Sequence, residues 1–130
     1  MADFGFIPNL TASGNIAPFR FVEINTSTAF TGQQATAASD NVLGVTDGSV
    51  RRFDSVYNAI AGDQISLQPT NTVQVELGTG GCSIGSYLTS DADGKAVATT
   101  TATQVAYYIA LEAGSASEIV RAFRIGPRTL

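Results

Sequence analysis

The feature that most constrains this chain is a succession of short runs of β-branched and aromatic residues. Gly, Asp and Asn separate them at intervals too close for helices of ordinary length. Residues 72–77, TVQVEL, are the clearest case, with Val73, Val75 and Leu77 on one face and Thr72, Gln74 and Glu76 on the other. A period of two predicts a half-buried strand. In PFRFVEI (18–24), Phe19, Phe21 and Glu23 alternate with Arg20, Val22 and Ile24; both sets are mixed, so the pattern does not choose a core face. NVLGVTDG (41–48) predicts a short strand closed by an Asp-Gly turn. CSIGSYL and KAVATT, on either side of TSDADG, predict a hairpin in which Asp93-Gly94 supplies the positive φ of the turn. QVAYYIALE (104–112) and EIVRAFRIG (118–126), joined by AGSAS, predict a terminal antiparallel pair.

Three stretches depart from this pattern. Residues 26–40, rich in Gln, Ala, Ser and Thr, have no sustained period and predict a long excursion over the surface. In VRRFDSVYNAI (50–60), Phe53, Val56, Tyr57 and Ile60 are spaced by three and four, which predicts one or two helical turns. Residues 1–17 carry Phe4, Phe6, Ile7, Pro8 and Leu10 without any period. They read either as a loosely packed terminus or as an apolar arm that docks on a neighbouring subunit. The expectation is an all-β protein: an extended N-terminal arm (1–17), then a single β domain (18–130) with at most one short helix. Alternation assigns strand faces without fixing closure, so a small antiparallel barrel and a sandwich both stand.

Composition narrows the function. At 130 residues the chain has the size of one domain, able to bury roughly two thirds of its unfolded surface. Only 14% of residues are charged, against about 25% in ordinary soluble domains. Thr, Ser, Asn, Gln and Gly must therefore supply the polar surface. A net charge of −4 with scattered basic residues gives no footprint for a phosphate backbone or an anionic membrane. Arg51 and Arg52 are the only adjacent basic pair, too few to hold a duplex; they read as an exposed, solvated pair or as an anion or partner contact. No stretch approaches the ~20 apolar residues of a membrane span, and MADFGFIPNL lacks the basic start and apolar core of a signal peptide. The single cysteine, Cys82, excludes an internal disulfide and reads as a small buried residue between glycines.

The chain contains no histidine, which removes Ser-His-Asp triads, most zinc sites and the commonest general base near neutral pH. Asp91, Asp93, Glu112 and Glu118 read as turn and solvent-facing residues rather than a catalytic carboxylate pair. DADG (91–94) resembles the start of a calcium loop, but Lys95 follows the glycine and the twelfth position is Ala102, where Glu is needed. GTGGCSIG lacks the Lys-Ser/Thr of a phosphate loop. No catalytic residue, cofactor or metal ligand is expected, and the chain reads as a non-enzyme.

From residue 41 onward the order of segments resembles the head-decoration (cement) proteins of tailed phages. The resemblance rests on Gly44-Val45 in the first strand, Ala61-Gly62-Asp63 before a β run, and Gly85-Ser86-Tyr87-Leu88. It extends through Asp91-Ala-Asp-Gly-Lys-Ala-Val97 and the closing pair Ala110-Leu-Glu-Ala113 and Ile119-Val-Arg121. It covers residues 41 to 126 and implies a barrel or tulip-like sheet and a homo-oligomer, often a trimer. It further implies a virion protein, made in the host cytoplasm, on the outer surface of the expanded capsid. The implied partners are the major capsid protein and further copies of the chain, with no nucleic acid and no membrane. On that reading the contacts fall to Phe4, Phe6, Ile7, Pro8 and Leu10 of the arm and to Arg51 and Arg52. The alternative is a glycan-binding or adhesion module of a tail or fibre, with Tyr57, Tyr87, Tyr107 and Tyr108 exposed for stacking on sugars.

Overall fold

TVQVEL becomes a strand, β5 (Thr72–Glu76), and its alternation sets the inside of one half of the molecule. The computed structural model describes residues 9–38, 41–50 and 56–130, and among these it has nine strands and no helix. The others are β1 (Thr11–Ala12), β2 (Phe21–Ile24), β3 (Thr31–Gln34), β4 (Val42–Val45), β6 (Tyr87–Ser90), β7 (Ala96–Ala98), β8 (Val105–Ala110) and β9 (Ile119–Thr129). They form two sheets, ordered β1-β3-β2-β4 and β5-β9-β8-β6-β7; every pairing is antiparallel except β1 with β3. The fold is all-β, as the sequence predicts.

In the five-stranded sheet, β5 meets β9 with Val73 opposite Ala122 and Val75 opposite Val120. A side-chain period of two then puts Val120 and Ala122 inside and Ile119, Arg121 and Phe123 outside. Just past β5, Leu77 bridges Ala96 of β7, and the Gly78 N–H donates to the Ala96 carbonyl at 2.8 Å. First and last strands of the sheet thus meet along this seam, which closes it as a small barrel. Its interior holds Val73, Val75, Leu77, Leu88, Tyr108 and Val120, with Ala96, Ala110 and Ala122 where opposing walls leave little room. In the predicted hairpin, β6 pairs with β7 from Leu88 opposite Ala98 to Ser90 opposite Ala96. Asp91 Oδ1 accepts the Asp93 and Lys95 N–H groups, and Gly94 takes the positive φ, 74°.

The four-stranded sheet is a middle layer. Phe21 faces the barrel, stacking on Tyr108 with ring centres 5.7 Å apart, and joins Ala35, Val42 and Val45 in the main core. The next residue, Val22, points the other way into a second core with Leu10, Ala12, Ile16, Ala59, Ile65 and Leu67. Because both faces of β2 are covered, PFRFVEI shows no single apolar face.

Two expectations are corrected. The stretch 26–40 is not only a surface excursion, because Thr31–Gln34 forms β3 between β1 and β2. TGQQ has no alternation because its inward position must be Gly32, where a Cβ would stand 2.9 Å from Ile65 Cδ1. Its polar side chains bond sideways: Gln33 Nε2 donates to Glu23 at 2.7 Å, and Gln34 Oε1 accepts the Ala17 N–H at 3.0 Å. The arm expected over 1–17 also divides. Residues 1–8 lie outside the described residues, while Thr11–Ala12 pairs with β3 and Leu10, Ala12 and Ile16 roof the second core. Leu10, Ala12 and Ile16 are thus packed against Val22 in that core. The helical turns expected over 50–60 fall partly on 51–55, outside the described residues. From Val56 on there is no helix, and Ala59 bridges Ile16.

Polar anchors join the layers. Thr46 is fully buried; its hydroxyl donates to the Ala17 carbonyl at 2.7 Å and accepts the Arg20 N–H at 3.0 Å. Arg20 reaches Glu76 of the barrel at 3.5 Å and the Asp93 carbonyl at 2.9 Å, while Lys95 meets the same Glu76 oxygen at 3.3 Å. Asp47 accepts the Ser49 N–H at 3.0 Å, the Asn58 amide at 3.1 Å and the hydroxyls of Ser49 and Ser66. Burial works against its charge, but the bonds from Ser49, Ser66 and Asn58 outweigh it and hold the carboxyl below the usual range.

Candidate interaction surface

β9 is the longest strand and the one most open to solvent. β5 pairs with it only over Ile119–Phe123, the Arg124 N–H still reaching the Asn71 carbonyl at 2.9 Å. On its other side β8 follows it to Thr129. From Ile125 to Thr129, about 17 Å of strand, the edge turned away from β8 has no strand beside it among the described residues. Such an edge carries backbone acceptors and, except at Pro127, donors that can pair with a further strand.

The face beside this edge is apolar where a solvated sheet would be polar. Ile119, Phe123 and Ile125 are 45%, 42% and 36% exposed, and Leu111 lies nearby. Cross-strand register makes Phe123 the centre of a row running Thr72, Phe123, Ile109, Tyr87 over four strands. Arginines frame the row. Arg121 pairs with Glu112 at 3.0 Å and its N–H donates to the same oxygen at 2.8 Å, so these bonds hold the exposed Glu112 carboxyl below its ordinary range. Arg128 lies 4.9 Å over the Tyr87 ring. On the opposite, inner face of β9, Arg124 stands over the rings of Tyr107 and Tyr108 and donates to the Leu43 carbonyl and the Tyr108 hydroxyl, both at 3.3 Å. Burial pushes the Tyr108 phenol up, and Arg124 offsets part of that rise. An exposed apolar and aromatic row flanked by Arg121 and Arg128 has the chemistry of a protein-protein contact centre.

Of the contact residues named from sequence, Phe4, Phe6, Ile7, Pro8, Arg51 and Arg52 lie outside the described residues. Leu10 is 4% exposed, spent on the chain's own second core. The four tyrosines do not form a common exposed set: Tyr107 and Tyr108 are buried, Tyr87 lies under Arg128, and Tyr57 borders a cleft. Tyr108 is buried because it is the barrel's contact with Phe21. Asp91 and Asp93 build the hairpin turn as expected. Cys82 is half-buried beside the barrel core, its thiol donating to the Glu112 carbonyl at 3.4 Å; burial first, then Glu112, pushes its pKa up. Among the described residues no three His, Cys, Asp or Glu side chains come together as a metal site.

In the sequence Ile119, Arg121, Phe123 and Ile125 alternate with Val120, Ala122 and Arg124, a pattern that does not by itself say which set lies outside. Size misleads here, because the larger side chains lie outside and the smaller ones inside.

No protein-family model and no curated protein matches this sequence. Among solved structures the chain is similar to the crystal structure of the head fiber gp8.5 N base in bacteriophage phi29. The two share 20% sequence identity over 94% of each chain, with a TM-score of 0.63. At that identity the likeness shows a shared fold, extending over nearly the whole of both chains.

Proposed function

We propose that this chain is a structural protein of a tailed-phage head that binds the outer surface of the expanded capsid and bridges neighbouring capsid subunits. The observation that carries the reading is the full-length fold likeness to a phage head fiber base. The separate resemblance of residues 41–126 to head-decoration proteins points to the same place in a virion. Its partners are the major capsid protein and further copies of the chain, as a trimer. It turns over no substrate and needs no cofactor.

The face and open edge of β9 supply a physical means. Phe123 and Ile125 would lose water-exposed apolar surface on docking, at roughly 25 cal/mol per Å² before ordering costs. A capsid segment laid along Ile125–Thr129 would satisfy the open backbone groups. Each contact is modest, but a shell presents the same site at many lattice positions. Cryo-electron microscopy of virions carrying the protein tests the reading. Density over the capsid surface, together with greater heat sensitivity of virions lacking the protein, supports it; density at the tail alone contradicts it.

A further inference from the structure

A cleft of about 720 Å³ opens where the turn before β2, β3 and the end of β5 converge. Its volume lies within the ~300–1,000 Å³ of small-molecule sites. No residue of β9 lines it, so it is separate from the surface described above.

Phe19 lies in its wall with φ of +57°, a conformation that bulky residues rarely take. Three constraints hold it there. Its N–H donates to the Thr46 carbonyl at 3.2 Å, and its carbonyl accepts the Glu76 N–H at 3.0 Å. Its ring lies against Gly48, where a Cβ would come within 2.7 Å of Phe19 Cζ. Strain kept in this way, at a cleft, is more common at binding sites than elsewhere. Tyr57 supplies a second aromatic ring to the lining.

The polar lining is neutral in sum. Arg20 has both terminal nitrogens engaged, one with the Asp93 carbonyl and the other with Glu76. Its Nε is buried without a partner among the described residues, out of reach of a ligand. Open groups remain on three side chains. Gln34 binds the Ala17 N–H through Oε1, which leaves its Nε2 donors unpaired among the described residues. The Asn15 amide has no partner among the described residues, and neither does the second oxygen of Glu76. Amide donors and acceptors and a carboxylate oxygen beside two aromatic rings match a ligand with an apolar flat face and hydroxyls at its edge. An anion would find no uncommitted cation among these lining residues.

We propose that this cleft binds a neutral saccharide, with the C–H face of a pyranose ring against Phe19 or Tyr57 and its hydroxyls on Gln34, Asn15 and Glu76. This does not depend on capsid binding, and a copy docked through β9 would keep the cleft open to solvent.

The test is an NMR titration of the full-length ¹⁵N-labelled protein with chitotriose, with maltotriose and with glycerol 3-phosphate as an anionic control. The expected result is saturable shifts from at least one neutral sugar, centred on the amides of Ala17, Phe19, Arg20, Gln34, Gly48 and Tyr57. Tyr57→Ala and Asn15→Ala should each weaken binding about 10-fold, the loss of one ring or hydrogen-bond contact. Asn15 is exposed, so its variant keeps the fold, which the ligand-free spectrum verifies. No saturable shift from either sugar, shifts centred away from the cleft, or shifts from glycerol phosphate alone would each overturn the proposal.

Discussion

The two-core architecture is tested most sharply by making one substitution at two phenylalanines. Phe21 is 1% exposed and stacks on Tyr108, so Phe21→Ala removes a buried ring from between the barrel and the four-stranded sheet. Such truncations cost about 3–5 kcal/mol, to which the lost ring pair adds roughly 0.5–1.5 kcal/mol. At about 3–5 °C per kcal/mol for a chain of this size, Tm should fall by roughly 10–30 °C. Phe123 is 42% exposed, so Phe123→Ala gives up only part of a burial contribution of about 1.5–3 kcal/mol. Its loss should be about 1 kcal/mol, a few degrees in Tm. Urea unfolding followed by circular dichroism measures both, with unchanged m values as the check that the two-state reading holds. Should Phe21→Ala prove too unstable to purify, Phe21→Leu keeps most of the volume and should lose less, about 1.5 kcal/mol. Equal losses from Phe21→Ala and Phe123→Ala, or a loss below about 1 kcal/mol for the former, would refute the assignment of inner and outer faces.

Three further outcomes follow from local geometry. Asp47 has its pKa depressed in the folded state, so its contribution is present above the ordinary carboxyl pKa of about 3.9 and is lost as pH falls through its lower folded value. Asp47→Asn should therefore flatten the acid limb of a stability-pH profile below about pH 4, and an unchanged limb would contradict the role given to Asp47. Gly85 has φ of +84° with open space around it, whereas Gly81 has φ of +60° and a Cβ there would stand 2.2 Å from the Gly114 carbonyl. Gly85→Ala should cost about 1–2 kcal/mol for backbone conformation alone, and Gly81→Ala clearly more; thermal melts that rank them the other way would contradict the packing. Thr46→Val keeps the shape but leaves the Ala17 carbonyl and Arg20 N–H without the bonds that Thr46 supplies, so a loss of about 1–3 kcal/mol is expected in urea unfolding.

Much of the barrel could be read from the chain because its strands carry a period of two and its turns carry Asp and Gly where the backbone needs them. β5, the β6-β7 hairpin and the β8-β9 pair all lie where alternation places them. Barrel closure could not be read, since it depends on one bridge between Leu77 and Ala96 that leaves no periodic mark. β3 was hidden because Gly32 replaces an apolar residue and its two glutamines bond laterally. Leu10 looked like part of a free arm because the second core it completes is assembled from residues up to fifty-seven positions away at Leu67, a long-range packing event with no local signature. The apolar face of β9 follows the period of two of its strand, but nothing local tells Ile-Phe-Ile from Val-Ala as the inner set. The register with β5 decides that, setting Val120 against Val75 and Ala122 against Val73. The strained Phe19 and its cleft also leave no local mark, since a positive φ at phenylalanine is imposed by Thr46, Gly48 and Glu76 from outside its own segment.

The measurement that bears most directly on the account is co-sedimentation of the purified protein with undecorated expanded capsids and with unexpanded procapsids, comparing the unaltered chain with Phe123→Asp. The unaltered chain should pellet with expanded shells, and Phe123→Asp, folded by circular dichroism, should stay in the supernatant. Absence of binding to either shell would contradict the head-protein reading, and undiminished binding of Phe123→Asp would contradict the role given to β9.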